Sequence, residues 1–249
     1  MKCAVLAAGY ATRLYPITEN FPKPLLEVNE KTILDHLLDD IDMSGEIDGY
    51  IIISNHRYIE HFNNWAKGKK LSAPITVIDD GSTENENRLG AVADIDFSIK
   101  TLGINDDMLV IAGDNVLDFS LCDFISYFKE KKATCIMRYY EEETKRLQKC
   151  GVALTDENDL VLNMEEKPEN PKSNWCVPPF YVYAKEDIEM VDKGIKDGCK
   201  TDAPGSFIAW LCSQRKVYAL KMPGKRYDIG NLESYEQVKK DYKGINKNA

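Results

Sequence analysis

The sequence predicts an α/β fold built on a mixed, mainly parallel sheet with helices on both faces. Three observations carry this expectation. Short, nearly uninterrupted apolar runs recur through the first half, and stretches with helical apolar spacing separate them. No internal repeat, low-complexity tract or Pro/Gly/Ser-rich linker divides the 249 residues. Strands covered on both faces read as continuous apolar runs, and alternation with amphipathic helices is the signature of crossovers between parallel strands. A single continuous domain, 1–249, is expected.

The elements follow in order. Cys3-Ala-Val-Leu-Ala7, Gly49–Ser54, Ile75–Ile78 and Met108–Ala112 are apolar runs of strand length. Ile33, Leu37, Leu38 and Ile41 repeat at helical spacing after the first run, Ile59, Phe62 and Trp65 after the second, and Ala91, Ile95, Ile99 and Leu102 after the third. Further strands are expected at Ala133–Arg138, Cys150–Leu154, Leu160–Glu165, Phe180–Tyr183 and Val217–Leu220, and helices at 119–130, 186–195, 203–214 and 231–242. In the third of these helices Asp202 is expected as N-cap, with Pro204 in the first turn. The tail Lys239–Ala249 is polar and expected to fray. In open α/β sheets ligands bind beyond the carboxyl ends of the strands, so the loops after Ala7, Ile78 and Ala112 are where chemistry belongs.

Composition narrows the partners. With 41 Asp+Glu against 32 Lys+Arg the formal charge is −9. Nucleic-acid and anionic-membrane binders need a basic face that displaces counterions, so neither partner is expected. The apolar runs fall well short of the ~20 residues of a membrane span. Seven cysteines, an odd number without a CxxC pair, read as reduced thiols and not as a disulfide framework. Met1-Lys2 leads directly into an apolar run, with neither a basic leader nor a cleavage site, so a cytoplasmic location is expected.

The first loop carries the strongest signal. Ala8-Gly-Tyr-Ala-Thr-Arg-Leu-Tyr-Pro-Ile-Thr18 is followed by Pro22-Lys-Pro24. It contains no GxxxxGK[ST], and GxGxxG fails at Ala11 and Thr12. Pro16, Pro22 and Pro24 forbid a regular helix from Gly9. What remains is a small-residue turn that lets backbone approach a ligand, then an extended segment bearing Arg13 and Lys23. Arginine offers a planar fork to phosphate oxygens, and lysine a compact charge able to follow a moving group. On spacing alone, an ordinary basic surface loop reads equally well.

Leu6-Ala-Ala-Gly-Tyr-Ala-Thr-Arg-Leu-Tyr-Pro-Ile-Thr18 with Pro22-Lys-Pro24 resembles the signature LAxGxGTRLxPxT…PK of the nucleotidyltransferases that activate sugar 1-phosphates, glucose-1-phosphate thymidylyltransferases among them. Ala11 stands where that signature has its second glycine. The resemblance runs from Leu6 to Tyr235 and implies a Rossmann-like sheet of the nucleotide-diphospho-sugar transferase type. It also implies that residues 1–115 mainly bind nucleotide and 116–240 mainly bind acceptor and metal. Leu6, Ala8 and Gly9 would hold the nucleotide through backbone, Arg13 would grip the triphosphate, and Lys23 would bridge the reacting phosphates.

Two acidic positions join them. Gly113-Asp114-Asn115 ends an apolar strand, and Tyr227-Asp-Ile-Gly230 precedes the last helix. A single aspartate at a loop is more often a cap or turn residue. In the resembled family a GDN-like and a DxG-like aspartate together hold Mg²⁺, which assigns Asp114 and Asp228 to the metal and makes Mg²⁺ the expected cofactor. On the acceptor side, Glu166-Lys-Pro168 resembles the family's EKP motif. That assigns Glu166 to sugar hydroxyls and Lys167 to the acceptor phosphate, with Gly151 giving close backbone approach.

The loop Asp79–Gly90 lies where the family reads the base. Asp80 and Gly90 are expected at the nucleotide, and residues 83–88 are expected to be mobile and to close over it. Asp79-Asp80 replaces the Glu-Gln pair of thymidylyltransferases, so the triphosphate stays open among dTTP, UTP and CTP. The acceptor is a phosphorylated small molecule, and a homodimer stays open. The expected reaction makes an NDP-sugar and pyrophosphate. A cytidylyltransferase acting on a non-sugar phosphate such as phosphocholine is the nearer alternative, with Trp175, Tyr181 and Tyr183 available for an aromatic cage. A non-catalytic nucleotide-sensing subunit is the other.

Overall fold

The computed structural model describes residues 1–246. The chain forms two compact units. The first comprises Met1–Arg88, Ala112–Asp123 and the segment from Pro223 onward, and the second comprises Leu89–Ile111 and Phe124–Met222.

In the first unit Lys2–Leu6 pairs in parallel with Gly49–Ser54, which pairs in parallel with Ile75–Asp79. Cys3, Ala4, Val5, Ile52 and Ile53 are fully buried, as continuous apolar strands require. The crossover helix Ile33–Asp42 starts where Thr32 Oγ1 accepts from Asp35 N and the Asp35 carboxylate accepts from Thr32 N, a reciprocal cap that satisfies two orphan donors. Its Ile33, Leu34, Leu37, Leu38 and Ile41 are buried, and Ile59–Gly68 forms the second crossover helix.

Two short antiparallel ladders complete the unit: Glu27–Val28 with Lys31–Thr32, and Asn115–Leu117 with Arg226–Asp228. Leu14, Val116 and Ile229 meet in one buried cluster with Leu26, Val28, Ile33, Tyr235, Val238 and Tyr242. Residues adjacent to Arg13, Asn115 and Asp228 are thereby anchored in a common core. The final helix, Leu232–Asp241, is capped by Asn231, whose Oδ1 accepts from Ser234 N at 2.8 Å. The expected fraying from Lys239 does not occur over the described residues. The helix continues through Asp241, Tyr242 is buried with its hydroxyl on Leu117 O at 3.1 Å, and Asn246 N donates to Asp118 O. Residues 247–249 of that tail lie outside the described residues.

The second unit holds the strands Val161–Glu166, Gly151–Thr155, Trp175–Val177, Cys135–Tyr140, Phe180–Tyr183 and Met108–Ala112 in that spatial order, each antiparallel to the next. Tyr218–Lys221 adds a parallel partner to Cys135–Tyr140. The sheet architecture is therefore mixed, with parallel pairing in the first unit and mostly antiparallel pairing in the second. Ala91–Leu102 is a helix closed by Gly103 in the left-handed conformation.

Several expectations are corrected here. Cys150 and Cys176 form a disulfide across 26 residues, with Cα atoms 6.0 Å apart, so the expectation of seven reduced thiols fails. The cause is tertiary. Pairing of Gly151 with Val177 and of Val152 with Cys176 brings together two thiols that the sequence leaves unrelated. The helix expected at 203–214 spans Gly205–Leu211 with Pro204, not Asp202, at its cap. Thr201 O and Asp202 O instead accept from Val92 N and Ala91 N. The helix expected at 186–195 is two short ones, Lys185–Ile188 and Val191–Lys196. No described helix is long and apolar enough to cross a membrane.

Candidate active site

The first loop lines a cavity of about 330 Å³ in the first unit, together with Lys23, Pro24, Asn85, Arg88, Ala112, Asp114 and Gly230. Its fold explains its composition. Ala11 sits at φ 46°, ψ 41°, a left-handed residue from which the short helical turn Thr12–Leu14 departs. Its carbonyl accepts from Leu14 N and from Thr18 Oγ1, both at 2.9 Å. Asn55, fully buried at the end of its strand, donates from Nδ2 to Ala8 O at 2.9 Å and so ties the loop to the sheet. A Cβ on Gly9 would meet nothing within 4 Å, which leaves open space against the backbone there. Leu6, Gly9, Arg13 and Lys23 line the cavity as a group, whereas Ala8 lies buried beside it.

Gly113 brings Lys23 and Asp114 together. A Cβ on it would stand 2.9 Å from Val5 Cγ1 and 3.2 Å from Pro24 Cγ, so only glycine lets the Asp114 segment lie this close to Pro24. Lys23 Nζ then reaches Asp114 Oδ2 at 2.8 Å, with the lysine side chain 9% and the aspartate side chain 40% exposed. Burial alone would raise the Asp114 pKa, but the charge and hydrogen bond of Lys23 outweigh it, with help from Arg226, and hold the carboxyl below its ordinary value. Asp228 lies opposite Asn115 in the short ladder, its side chain 54% exposed and its Oδ1 3.9 Å from Arg226 Nη1. It does not line the cavity, although Gly230 two residues on does.

Asp114, in the turn before Asn115–Leu117, and Asp228, paired with Asn115, offer carboxylate oxygens, which are hard donors. Among the described residues no cluster of three or more His, Cys, Asp or Glu groups could cage a metal. Such a donor set fits an ion that completes its octahedron with phosphate oxygens and water, as Mg²⁺ does.

Within residues 83–88, the segment expected to be mobile, the chain is locally hydrogen-bonded. Asn85–Asn87 forms a short helical turn, and Asn87 Oδ1 accepts from Thr83 N and Glu84 N at 3.0 and 3.1 Å. This turn sets Asn85 and Arg88 on the cavity wall, with Arg88 Nη1 donating to Asn85 Oδ1 at 2.8 Å. Neither residue was singled out from the sequence, because no motif marks them. Asp80 is buried and accepts from Ser82 N and Oγ, both at 2.7 Å, and it does not line the cavity.

In the second unit Gly151, Met164 and Glu166 meet side by side on adjacent strands. Glu166 Oε2 lies 2.1 Å from where a Gly205 Cβ would stand and 3.0 Å from that of Gly151, so two glycines make the cradle. Burial raises the Glu166 pKa against Lys167, which lowers it, and the charge of Asp202 adds to the rise. Asp202 thus stands near the glutamate rather than capping a helix. Lys167 has φ 50°, and its N–H donates to Cys150 O at 3.0 Å. Gly90, also in this unit, has φ 94° and packs so closely on Thr201 and Asp202 that a Cβ would stand 2.7 Å from Thr201 O. The aromatic cage offered for a choline does not form. Arg138 covers the Trp175 ring at 4.7 Å, and Tyr181 and Tyr183 are buried against one another.

A family model described as nucleotidyl transferase matches residues 2–244. The chain is 26% identical over 248 residues to the UTP–glucose-1-phosphate uridylyltransferase AglF of Haloferax volcanii, covering 96% of this chain and 95% of that protein. It is 28% identical over 234 residues to the bifunctional protein GlmU of Methanocaldococcus jannaschii, covering 92% of this chain and 51% of that one, so it spans about half the length of this relative. A solved structure of a UDP-glucose pyrophosphorylase complexed with UDP-glucose matches with a TM-score of 0.81 at 20% identity over 97% of each chain, which is a likeness of fold.

Proposed function

Because the chain belongs to the nucleotidyl transferase family, we propose that it transfers a nucleotidyl group from a nucleoside triphosphate to a sugar 1-phosphate, forming an NDP-sugar and releasing pyrophosphate. The observation that carries this reading is the Lys23–Asp114 pair, set with Arg13 and Arg88 around one cavity. A protein with a formal charge of −9 has gathered three cations there against one carboxylate. A polyanion is the ligand that rewards this arrangement.

In the proposed reaction an oxygen of the acceptor phosphate attacks the α-phosphorus in line. One P–O bond forms as the bond to the bridging α–β oxygen breaks, and pyrophosphate leaves with that electron pair. The acceptor phosphate is already an anion, so no general base is needed, and positioning with charge neutralisation carries the rate. Arg13 grips the triphosphate, and Lys23, with three donors on a flexible stem, follows the transferring phosphoryl group. Leu6 and Gly9 present backbone to the nucleoside, and Ala8, Asp80 and Gly90 support the base side. Glu166 accepts from sugar hydroxyls, Lys167 meets the acceptor phosphate, and Gly151 gives close approach. Family members generally use a divalent metal, and we take it to be Mg²⁺, with Asp114 and Asp228 to hold it. When bound, it would neutralise phosphate charge. We place the enzyme in the cytoplasm, as a monomer or homodimer.

Pyrophosphate release over a matrix of dTTP, UTP and CTP against glucose 1-phosphate, other sugar 1-phosphates and phosphocholine tests the reading. Turnover confined to sugar 1-phosphates supports it, turnover only with phosphocholine overturns it, and nucleotide binding without any turnover makes the chain a sensor. Asp114→Ala should lower the rate by roughly 10³-fold while the circular dichroism spectrum is retained.

A further inference from the structure

Asn115 is fully buried, yet it follows the metal-site aspartate directly and pairs in register with the other one. Its side chain is committed at both ends. Nδ2 donates to Asp114 Oδ1 at 2.6 Å, and Oδ1 accepts from Arg226 Nη1 at 2.7 Å. The orientation of the amide follows from its neighbours. A guanidinium has only donors, so it must face the amide oxygen, and an ionised carboxylate has only acceptors, so it must face the amide nitrogen. Reversing the amide would set N–H against N–H and oxygen against oxygen.

Arg226 and Asp228 lie two residues apart on one strand, on the same face as Asn115 on its partner. A continuous chain of polar contacts therefore runs from Asp114 through Asn115 to Arg226 and on to Asp228. Lys23 holds the other oxygen of Asp114, so that carboxylate is clamped on both sides. Val116 and Ile229, in the buried cluster, keep the two strands in register.

We propose that Asn115 is a positioning residue for the metal site, holding the Asp114 carboxylate in a fixed rotation relative to the strand that carries Asp228. Resting on the metal reading above, it assigns a role to a residue that touches neither metal nor substrate. A carboxylate free to rotate must be ordered when an ion binds, whereas one already held by an amide is not. Removing such an outer partner typically costs 10–100-fold in metal affinity.

The test titrates Mn²⁺ into the whole chain, with loss of the free-ion EPR signal as readout, for the wild type, Asn115→Ala and Asp114→Ala. The expected result is at least tenfold weaker Mn²⁺ binding in Asn115→Ala and loss of binding in Asp114→Ala. Activity assays should then show a higher metal concentration for half-maximal rate in Asn115→Ala, an unchanged acceptor KM, and recovery of kcat at saturating metal. A circular dichroism spectrum and metal-free Tm equal to those of the wild type separate this effect from a general loss of folded protein, which metal binding would also reverse. If Asn115→Ala fails to fold, Asn115→Ser replaces it, since a hydroxyl keeps a polar group in the buried space but cannot bridge Asp114 and Arg226 as the amide does. Wild-type Mn²⁺ affinity in the Asn115 variant, with binding lost in Asp114→Ala, overturns the proposal and leaves the metal reading standing. Undiminished binding in Asp114→Ala, or none in the wild type, overturns both.

Discussion

Ala11 opposes the backbone it occupies. At φ 46° its Cβ crowds the following carbonyl, a conformation that costs an L-residue about 1–2 kcal/mol and glycine almost nothing. Hydrogen bonds from Leu14 N and Thr18 Oγ1 hold it there. Ala11→Gly should therefore raise stability by about 1 kcal/mol, read as a rise of a few degrees in Tm by calorimetry. Glu166 makes the other prediction of this kind. Its pKa lies above the ordinary 4.5, chiefly through burial. Above that value the native state keeps a proton the unfolded chain has lost, so this group's contribution to stability is present at low pH and lost as pH rises through the native pKa. The ionised carboxylate accepts more strongly from sugar hydroxyls, so acceptor KM should rise as pH falls through the raised native pKa. Glu166→Gln should remove that dependence, and a flat wild-type profile would refute the role. The glutamate was legible as part of a motif. Its setting was not, because Gly205 and Asp202 lie far along the chain.

Short elements do most to shape the cavity of the first unit. The turn Asn85–Asn87 turns a loop of polar residues into a wall that presents Arg88. Composition alone suggested mobility, since Thr83 to Arg88 contains no apolar residue to bury. The side-chain amide of Asn87 shapes the turn by accepting from two backbone N–H groups. Arg88→Ala should raise the triphosphate KM about tenfold with acceptor KM unchanged, the loss expected for one charge-assisted contact. An unchanged triphosphate KM would remove Arg88 from the site. The ladder of Asn115–Leu117 with Arg226–Asp228 escaped the sequence reading for a related reason. Three-residue strands are too brief to show alternation, and their partners are more than a hundred residues apart.

Across the whole molecule, charge and covalent linkage carry separate lessons. The acidic total excluded a basic groove for nucleic acid, but it did not describe the cavity, where Arg13, Lys23 and Arg88 outnumber Asp114. Charge is set residue by residue at a site, and a sum over the chain averages that away. The Cys150–Cys176 bond closes a loop whose entropy loss in the unfolded chain is worth roughly 3–4 kcal/mol. The oxidised, denatured protein should titrate five thiols, and the reduced protein seven. Reduction should lower Tm, and an unchanged Tm would show that the loop is held by packing alone. A reducing cytoplasm would keep the pair open.

The sequence by itself determined the alternation of strands and helices, the long signature from Leu6 to Pro24, and the acidic and Glu-Lys-Pro motifs. Each is written in contiguous residues whose spacing has a local physical cause. Tertiary structure alone decided which of them meet. Gly113 admits Lys23 to Asp114, Asn115 ties Asp114 to Arg226, two distant glycines cradle Glu166, and strand pairing joins two cysteines. These contacts join residues up to 111 positions apart, and the packing that enforces them exists only once the strands are in register.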